Sequence, residues 1–544
     1  MTYMKTIYRV LRNLGLVLLP LWLVSCEDLL TEDPKGQLAV VNFFKTKGDL
    51  DQSLNAMYSI LANEMYANNA VGFDAVSGDD ITTHPASNKQ SIREVDSYDI
   101  SNNNSWADEL WNRRWKVVKA ANFIINNAER TPTTQEEINK TLGQAYYWRA
   151  YSYFYFVMTW GKVPMVVKDE IDYNMPLATI PEIYDLIVSD LQKAEAMVPI
   201  NYTEEPYARN GVNIAVGQAA VKATLSYVYM AMAGWPLNKG TDYYKLAAAK
   251  AKEVIDNVKN STYNNSLLPE YKDVYSLKWN NNNPEVLLGI YYSRTGTITN
   301  ATLCDFLADM AYGGGWGDTN GEIKFWKDFP DGPRKESTYF SKIILMSDAD
   351  ADNPVLRDWW YDDPNTPRTV VAPCFMKKVE RVGEDYFDVS DPSPINQNGE
   401  KMHQVIRLSE VYCWYAEAVG RSGEGDKTLA VSVLNEVRNR ADGTESNRYS
   451  TSMSYDELAE SAYNEHGWEI AGYYWANIAT RARDMFRMNR IKDHFEFRKE
   501  NPEIEVASGV FRKEAIPVTG VWSDSKMYFP YPANDVALNP NLKN

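Results

Sequence analysis

The stretch DMAYGGGWGDTNGE, residues 309–322, sets two flat aromatic rings, Tyr312 and Trp316, on either side of three glycines, and follows them with Asp318 and Asn320. Glycine frees the backbone from Cβ restraint, aromatic rings offer apolar faces, and carboxylate and amide groups supply hydrogen-bonding tips. Such a set suits a ring-shaped ligand rich in hydroxyls, with its C–H groups on the faces and its hydroxyls on the polar groups. The competing reading is a surface loop whose aromatics pack inward. No Gly-Lys-Ser/Thr follows the glycines, which argues against a phosphate-cradling loop. A second set lies upstream. GDDITTH (78–84) carries Asp79, Asp80 and His84, and NNNSW (102–106) carries Asn103 and Trp106. Paired carboxylates can serve as general acid and base, but two adjacent acids on one chain diverge rather than flank a bond. A capping or turn role is therefore the first reading of the two acids, and Asp80, Asn103 and Trp106 are the ligand contacts this segment would offer. Trp359-Trp360-Tyr361 reads as a buried cluster, and His466 and His494, in helical stretches, read as structural.

The N-terminus holds chemistry of another kind. Lys5, Arg9 and Arg12 precede an apolar run from Leu14 to Val24, and no acid occurs before Glu27. This is a signal peptide in charge and length, too short for a comfortable membrane span. It ends in Leu23-Val24-Ser25-Cys26, which resembles a lipobox, with Cys26 as the acylated residue of a bacterial lipoprotein. Each buried acyl methylene contributes roughly 0.8 kcal/mol, so two or three chains on one cysteine anchor stably. Glu27 and Asp28 behind the cysteine resemble the signal for the outer face of the outer membrane.

Residues 1–25 thus read as a signal peptide and 26–544 as one mature domain of 519 residues. Loss of the three leader cations moves the formal net charge from -17 to -20. An acidic chain without a basic run is unsuited to nucleic acid, whose phosphates demand Lys and Arg. Cys304, Cys374 and Cys413 allow at most one disulfide, and four scattered His make no zinc-type cluster. No cofactor is expected; a bound metal is left open. With 36 Tyr and 16 Trp against 17 Phe, the aromatics favour rings with a polar tip, suited equally to half-wet binding surfaces and to sealed helix packing.

Helical periodicity must position these groups. Leu50, Leu54, Met57, Tyr58 and Leu61 recur at three- and four-residue steps, as do Trp111, Trp115, Val118, Ala121 and Ile125. AYYWRAYSYFYF (145–156) is apolar or aromatic nearly all round, which predicts a buried helix ending at Gly161 and Pro164. Residues 217–256 and 406–441 each read as a helical hairpin with an Ala-rich second helix. Such hairpins bury their faces only by stacking on neighbours, as in tetratricopeptide arrays. Tyr455 to Arg490 reads as one more long helical segment. Residues 259–404, rich in Asn, Gly, Pro and Asp, contain one clear strand, EVLLGIYY (285–292), and read as the variable region where specificity resides. The mature chain thus divides into a helical part, about 26–258, a loop-rich part, about 259–404, and a helical part, about 405–544.

Several motifs, taken in order, resemble the SusD/RagB lipoproteins. After the lipobox come Leu29, Leu30 and Pro34, then SLNAMYSIL, the Ala121-Asn122 pair, Arg149-Ala150-Tyr151 and Gly161-Lys162-Val163-Pro164. Glu465 and Arg483-Asp484 lie in NEHGWEIAGYYWANIATRARDMFRM, and the chain closes on YFPYPANDVALNPNLKN with Pro530, Pro532 and Asn539-Pro540-Asn541-Leu542. Residues 295–400 carry little of the likeness, and Lys162 stands where the family often has an acid. The resemblance implies a mostly α fold of tetratricopeptide-like helix pairs with a few short strands and a loop-rich binding face. It implies binding without catalysis: a lid that captures oligosaccharide and delivers it to a TonB-dependent, SusC-like outer-membrane transporter. A peptide-uptake lid of the same family is the nearest alternative, and a secreted all-α polysaccharide-degrading enzyme the next.

Overall fold

The computed structural model describes residues 43–62, 73–85, 90–168, 172, 174–204, 206–209, 212–280, 282–292, 318–340, 342–344, 355–365, 367–375, 401–472 and 477–543. Cys26 and the leader lie outside the described residues.

The helices begin where short polar side chains take up the first free amide groups. Asn104 accepts hydrogen bonds from Trp106 N and Ala107 N and so starts a 23-residue helix. Thr179 with Glu182, and Ser454 with Glu457, close capping boxes. In chain order the helices are α1 (Lys47–Ile60), α2 (Gln90–Asp96), α3 (Ser105–Asn127), α4 (Gln135–Trp160), α5 (Ile180–Met197), α6 (Gln218–Ala233), α7 (Thr241–Lys259), α8 (Ile323–Asp328), α9 (Pro333–Thr338), α10 (Leu408–Ser422), α11 (Lys427–Asp442), α12 (Tyr455–Ile470), α13 (Arg481–Arg487), α14 (Ile491–Glu500) and α15 (Ala533–Leu538). The strands form antiparallel pairs only: β1 (Ile81–Thr83) with β7 (Thr319–Gly321), β2 (Val163–Pro164) with β3 (Leu177–Ala178), β4 (Ala208–Arg209) with β5 (Val212–Asn213), β6 (Val286–Ile290) with β10 (His403–Arg407), β8 (Lys342–Ile344) with β9 (Leu356–Asp358), and β11 (Ile504–Ala507) with β12 (Val510–Arg512).

The long helices stack in sequence: α3 on α4, α4 on α5, α5 on α6, α6 on α7, α7 on α10, and α10 on both α11 and α12. This is a tetratricopeptide-like scaffold, and α4 is its centre. From Ala145 to Trp160 only Tyr146 is less than fully buried, and Gly161, at φ +73, ends the helix in a backbone conformation other residues resist. The two predicted hairpins are α6–α7 and α10–α11. The second begins at Leu408 rather than Ile406, because residues 403–407 pair with β6 and every one of them is buried in the ladder. The segment from Tyr455 to Arg490 is not one long helix. It breaks after Ile470, where Gly472 takes φ +71 and donates its amide to Asp80 Oδ2 at 2.7 Å.

Several of the described residues that carry the family likeness are tertiary ties. Arg149 pairs with both oxygens of Asp190, at 2.7 and 2.8 Å, and donates to Asn122 at 2.9 Å, locking α3, α4 and α5 together. Tyr531 donates to the Lys162 carbonyl at 2.6 Å, and Phe529 N to Thr159 O at 2.8 Å, so the C-terminal segment docks on the end of α4. A buried ionic cluster joins the β6–β10 ladder to α9, α11 and α12. Arg407 reaches Glu285 and Glu469, both at 2.8 Å, Arg334 reaches Glu469 at 3.0 Å, and Arg440 reaches both acids at 2.5 Å. Burial opposes ionisation of Glu469, and the three guanidiniums overcome it, holding that carboxyl far below the ordinary range. Removing any one partner would strand a charge, so the cluster fixes how the β6–β10 ladder sits against α12. Cys413 is a free, buried thiol, and Cys374 is also buried. His466 is structural as read: fully buried, with Nδ1 at 2.5 Å from Asp484 and Nε2 at 3.1 Å from Trp414 Nε1.

Candidate ligand-binding site

The two candidate segments meet. β1 contains the ITT of GDDITTH and β7 the TNG that closes the glycine-rich stretch, in register Ile81 with Gly321, Thr82 with Asn320 and Thr83 with Thr319. His84 N also donates to Asp318 O at 2.9 Å. Tyr312 and Trp316 lie outside the described residues, but the chain that follows them is pinned on this ladder. Asp318 and Asn320 are buried in it, and Asn320 Oδ1 sits 3.7 Å from the Cys374 thiol. Asp80 is also buried, its backbone carbonyl accepting from Glu322 N and its carboxylate from Gly472 N. These three polar groups brace the ladder. Trp106 is half-buried in the first turn of α3, and Asn103 is exposed just before it. Asn104 ties that corner to α2 through Ser91 O and Glu94. α2 in turn holds β1, because Asp96 Oδ2 accepts from Thr82 Oγ1, Thr83 N and Thr83 Oγ1 at 2.8–3.0 Å. Asp80, Asn103, Trp106, Asp318 and Asn320 thus belong to one neighbourhood built on β1, β7 and the N-terminus of α3.

Where the ladder ends, a cleft of about 390 Å³ opens, with Asp79 and Glu322 at its base and Phe325, Trp468 and Phe497 among its walls. Its charges are held by one another. Arg481 clasps Asp79 with two bonds of 2.6 and 2.9 Å and lies 4.4 Å from the Tyr463 ring centre and 5.6 Å from that of Phe325. Burial works against the Asp79 carboxylate, yet the guanidinium holds its pKa below the ordinary value. Glu322 has the opposite fate. Burial dominates and raises its carboxyl well above the usual range, although Arg498 bonds to it and His494 Nε2 lies 3.0 Å away. The same burial, with the Arg498 charge, pushes His494 down to about 4, so this ring is neutral at pH 7. Glu514 accepts from Ile323 N at 2.7 Å and is raised to about 8 by burial and by Glu322.

The two candidate segments supply the ladder and, at the cleft, Asp79 and Glu322; the remaining walls come from elsewhere. Arg481, Trp468 and Phe497 come from α12, α13 and α14, more than a hundred residues from β7 in the chain, and carry no local mark of a site. Trp359, in contrast, is buried as read, edge-on to Trp326 at 5.0 Å.

The stack of tetratricopeptide-like helix pairs thus carries a short strand ladder and an aromatic cleft. Two family signatures match the chain: one described as starch-binding and associating with the outer membrane, over residues 28–230, and the SusD family, over residues 310–544. The chain belongs to the SusD/RagB family. It is 25% identical over 444 residues to SusD-like protein P2 of Formosa agariphila, an alignment that covers 78% of this chain and 80% of that one. Among solved structures it superposes on one determined with a xylogluco-oligosaccharide, at 20% identity and TM-score 0.67, over 90% of this chain and 98% of the other. A laminarin-binding SusD-like protein aligns at 18% identity and TM-score 0.66, over 91% and 98%. At these identities the superpositions establish the fold. Among the described residues no helix is long and apolar enough to cross a membrane.

Proposed function

We propose that this protein is a cell-surface lipoprotein, anchored through Cys26, that captures oligosaccharide and passes it to a TonB-dependent SusC-like transporter in the outer membrane without cleaving it. The observation that carries the reading is the convergence of the segment that follows the glycine-rich stretch (318–322), the Trp106 corner and the aromatic cleft on one strand ladder. Pyranose rings need flat apolar faces beside polar groups, and here Phe325, Trp468 and Phe497 stand beside Asp79 and Arg481. Membership of a family described as starch-binding and outer-membrane associated supports the ligand class and the location, and the xylogluco-oligosaccharide and laminarin of two structural relatives support the ligand class. Tyr312 and Trp316 supply the stacking platform in this reading, with Asp318 and Asn320 bracing its base.

One observation favours a second reading, a saccharide-cleaving enzyme. Asp79 and Glu322 line one cleft with pKa values displaced in opposite directions, as an acid and base pair requires. Glu322, however, is wholly buried against Arg498 and His494, and Asp79 is clasped by Arg481, so neither stands free to reach a glycosidic bond. Capture is therefore preferred. The test is calorimetry of the soluble chain (27–544) against a panel of neutral glycans, repeated with Trp316→Ala and Trp106→Ala, with product analysis of each mixture. Binding to one glycan class, weakened about tenfold or more by loss of a stacking ring, is the expected outcome. Oligopeptide binding in its place would move the protein to the peptide lids, and shortened glycan products would establish the enzyme.

A further inference from the structure

A larger cavity, about 560 Å³, lies on the other side of α14, where Tyr98–Ile100, the end of α4 and the segment 523–531 come together. Its volume falls in the range of small-ligand sites. α14 separates it from the cleft: His494 and Phe497 face the cleft, while Phe495 packs on Tyr98 and on Trp522, the residue before the cavity's Ser523.

We propose that this cavity is a second saccharide site, selective for carboxylated sugars. Two lysines line it. Lys526 is half-buried; its ammonium donates to the Tyr98 carbonyl and lies 5.8 Å from the Phe495 ring centre, and no carboxylate among the described residues pairs with it. Lys162, at the turn that ends α4, is exposed, and its ammonium has no ion-pair or hydrogen-bond partner among the described residues. Asp99 supplies the one opposing charge of the lining, which leaves it net positive on a chain of formal charge -17. A half-buried ammonium keeps two of its three donors unused when it bonds one carbonyl, and a carboxylate satisfies them best. Half-buried Tyr528 and Phe529 supply ring faces on the same wall, and the Tyr528 hydroxyl is buried with no partner among the described residues. A sugar ring carrying a carboxylate meets all of these at once: faces for its C–H groups, a hydroxyl for its own, cations for its acid. The saccharide half of the assignment rests on the glycan-capture reading; the preference for an anion rests on Lys162 and Lys526.

The experiment is calorimetric titration of the soluble chain with trigalacturonate, with its methyl ester, which is neutral and nearly isosteric, and with a triglutamate peptide. Trigalacturonate is expected to bind at least about tenfold more tightly than the ester, and Lys162→Glu to weaken it by about tenfold or more. Lys162→Arg is expected to restore binding to within about threefold, and Lys252→Glu, a charge control on exposed α7 surface, to leave it unchanged. Because Lys162 is exposed, these variants leave the core intact. Equal affinity for acid and ester overturns the proposal, as does wild-type affinity in Lys162→Glu or no binding of trigalacturonate at all. Triglutamate binding as tightly as trigalacturonate would refute the sugar assignment. Failure of neutral glycans at the cleft would sink the capture reading while leaving the comparison of acid and ester readable, so the two failures are distinct.

Discussion

Replacing Arg481 by methionine tests whether the ion pair at the base of the cleft holds the ladder in place. Arg481 is 8% exposed and makes two charge-assisted bonds to Asp79, whose side chain keeps 27% of its surface in water. Removing one partner of a fully buried pair costs roughly 3–5 kcal/mol, and the partial exposure of Asp79 reduces this to roughly 2–3. Loss of the cation between Tyr463 and Phe325 adds about 0.5–1 kcal/mol, while methionine retains most of the apolar packing. The expected loss at pH 7 is therefore about 3 kcal/mol. Asp79→Asn with Arg481→Met removes the stranded carboxylate and should recover about 1–2 kcal/mol of that loss. The pH dependence has a definite sign. The Asp79 pKa is held below its unfolded value, so its contribution is complete above the ordinary carboxylate range and fades as pH falls through the lowered folded value. The gap between wild type and Arg481→Met should accordingly narrow in acid. The assay is urea unfolding followed by tryptophan fluorescence at pH 7 and near the acid limit of folding. A gap below about 0.5 kcal/mol at neutral pH, the size of an ordinary surface pair, would refute the reasoning. So would a double variant no more stable than the single.

Other perturbations follow from the same structure. Burial opposes protonation of His466, but Asp484 and Glu410 raise it to about 9. Its stabilisation is complete below about pH 6.5 and lost as pH rises through 9, so wild type should lose up to roughly 3 kcal/mol across that window. A His466→Gln variant, less stable at pH 6, should show a flat profile there; an equal slope in both would exclude His466 as the source. Gly472→Ala places a methyl 2.5–2.8 Å from the ring of fully buried Phe375, at φ +71. Left-handed strain and overpacking together predict a loss of about 2–4 kcal/mol in the same unfolding assay. A neutral result would mean that the turn between α12 and α13 relaxes freely.

What could be read from the chain alone was local or periodic. Apolar steps of three and four residues placed α1 and α3, and the all-round apolar character of 145–156 marked α4 as central, because only a helix with neighbours on every side can bury Tyr151, Phe154 and Trp148 together. Alternation was unnecessary for β6: a short apolar run beside Asn and Pro sufficed. Boundaries set by partners were not legible. Ile406 and Arg407 continue a helical pattern, yet they pair with β6. Gly472 looks like any helix glycine until the carboxylate of Asp80, distant in sequence, is seen to hold its amide. The pairing of GDDITTH with TNG was likewise invisible, although both segments had been singled out for their chemistry. Composition gave each its polar groups; the register of β1 on β7 brought those of 318–322 beside those of 79–84. The cleft itself depends on Arg481, Trp468 and Phe497, which three helices deliver from far along the chain. Long-range packing of buried charges decides which of these groups are bound to one another and which face water, and no window of sequence contains that information.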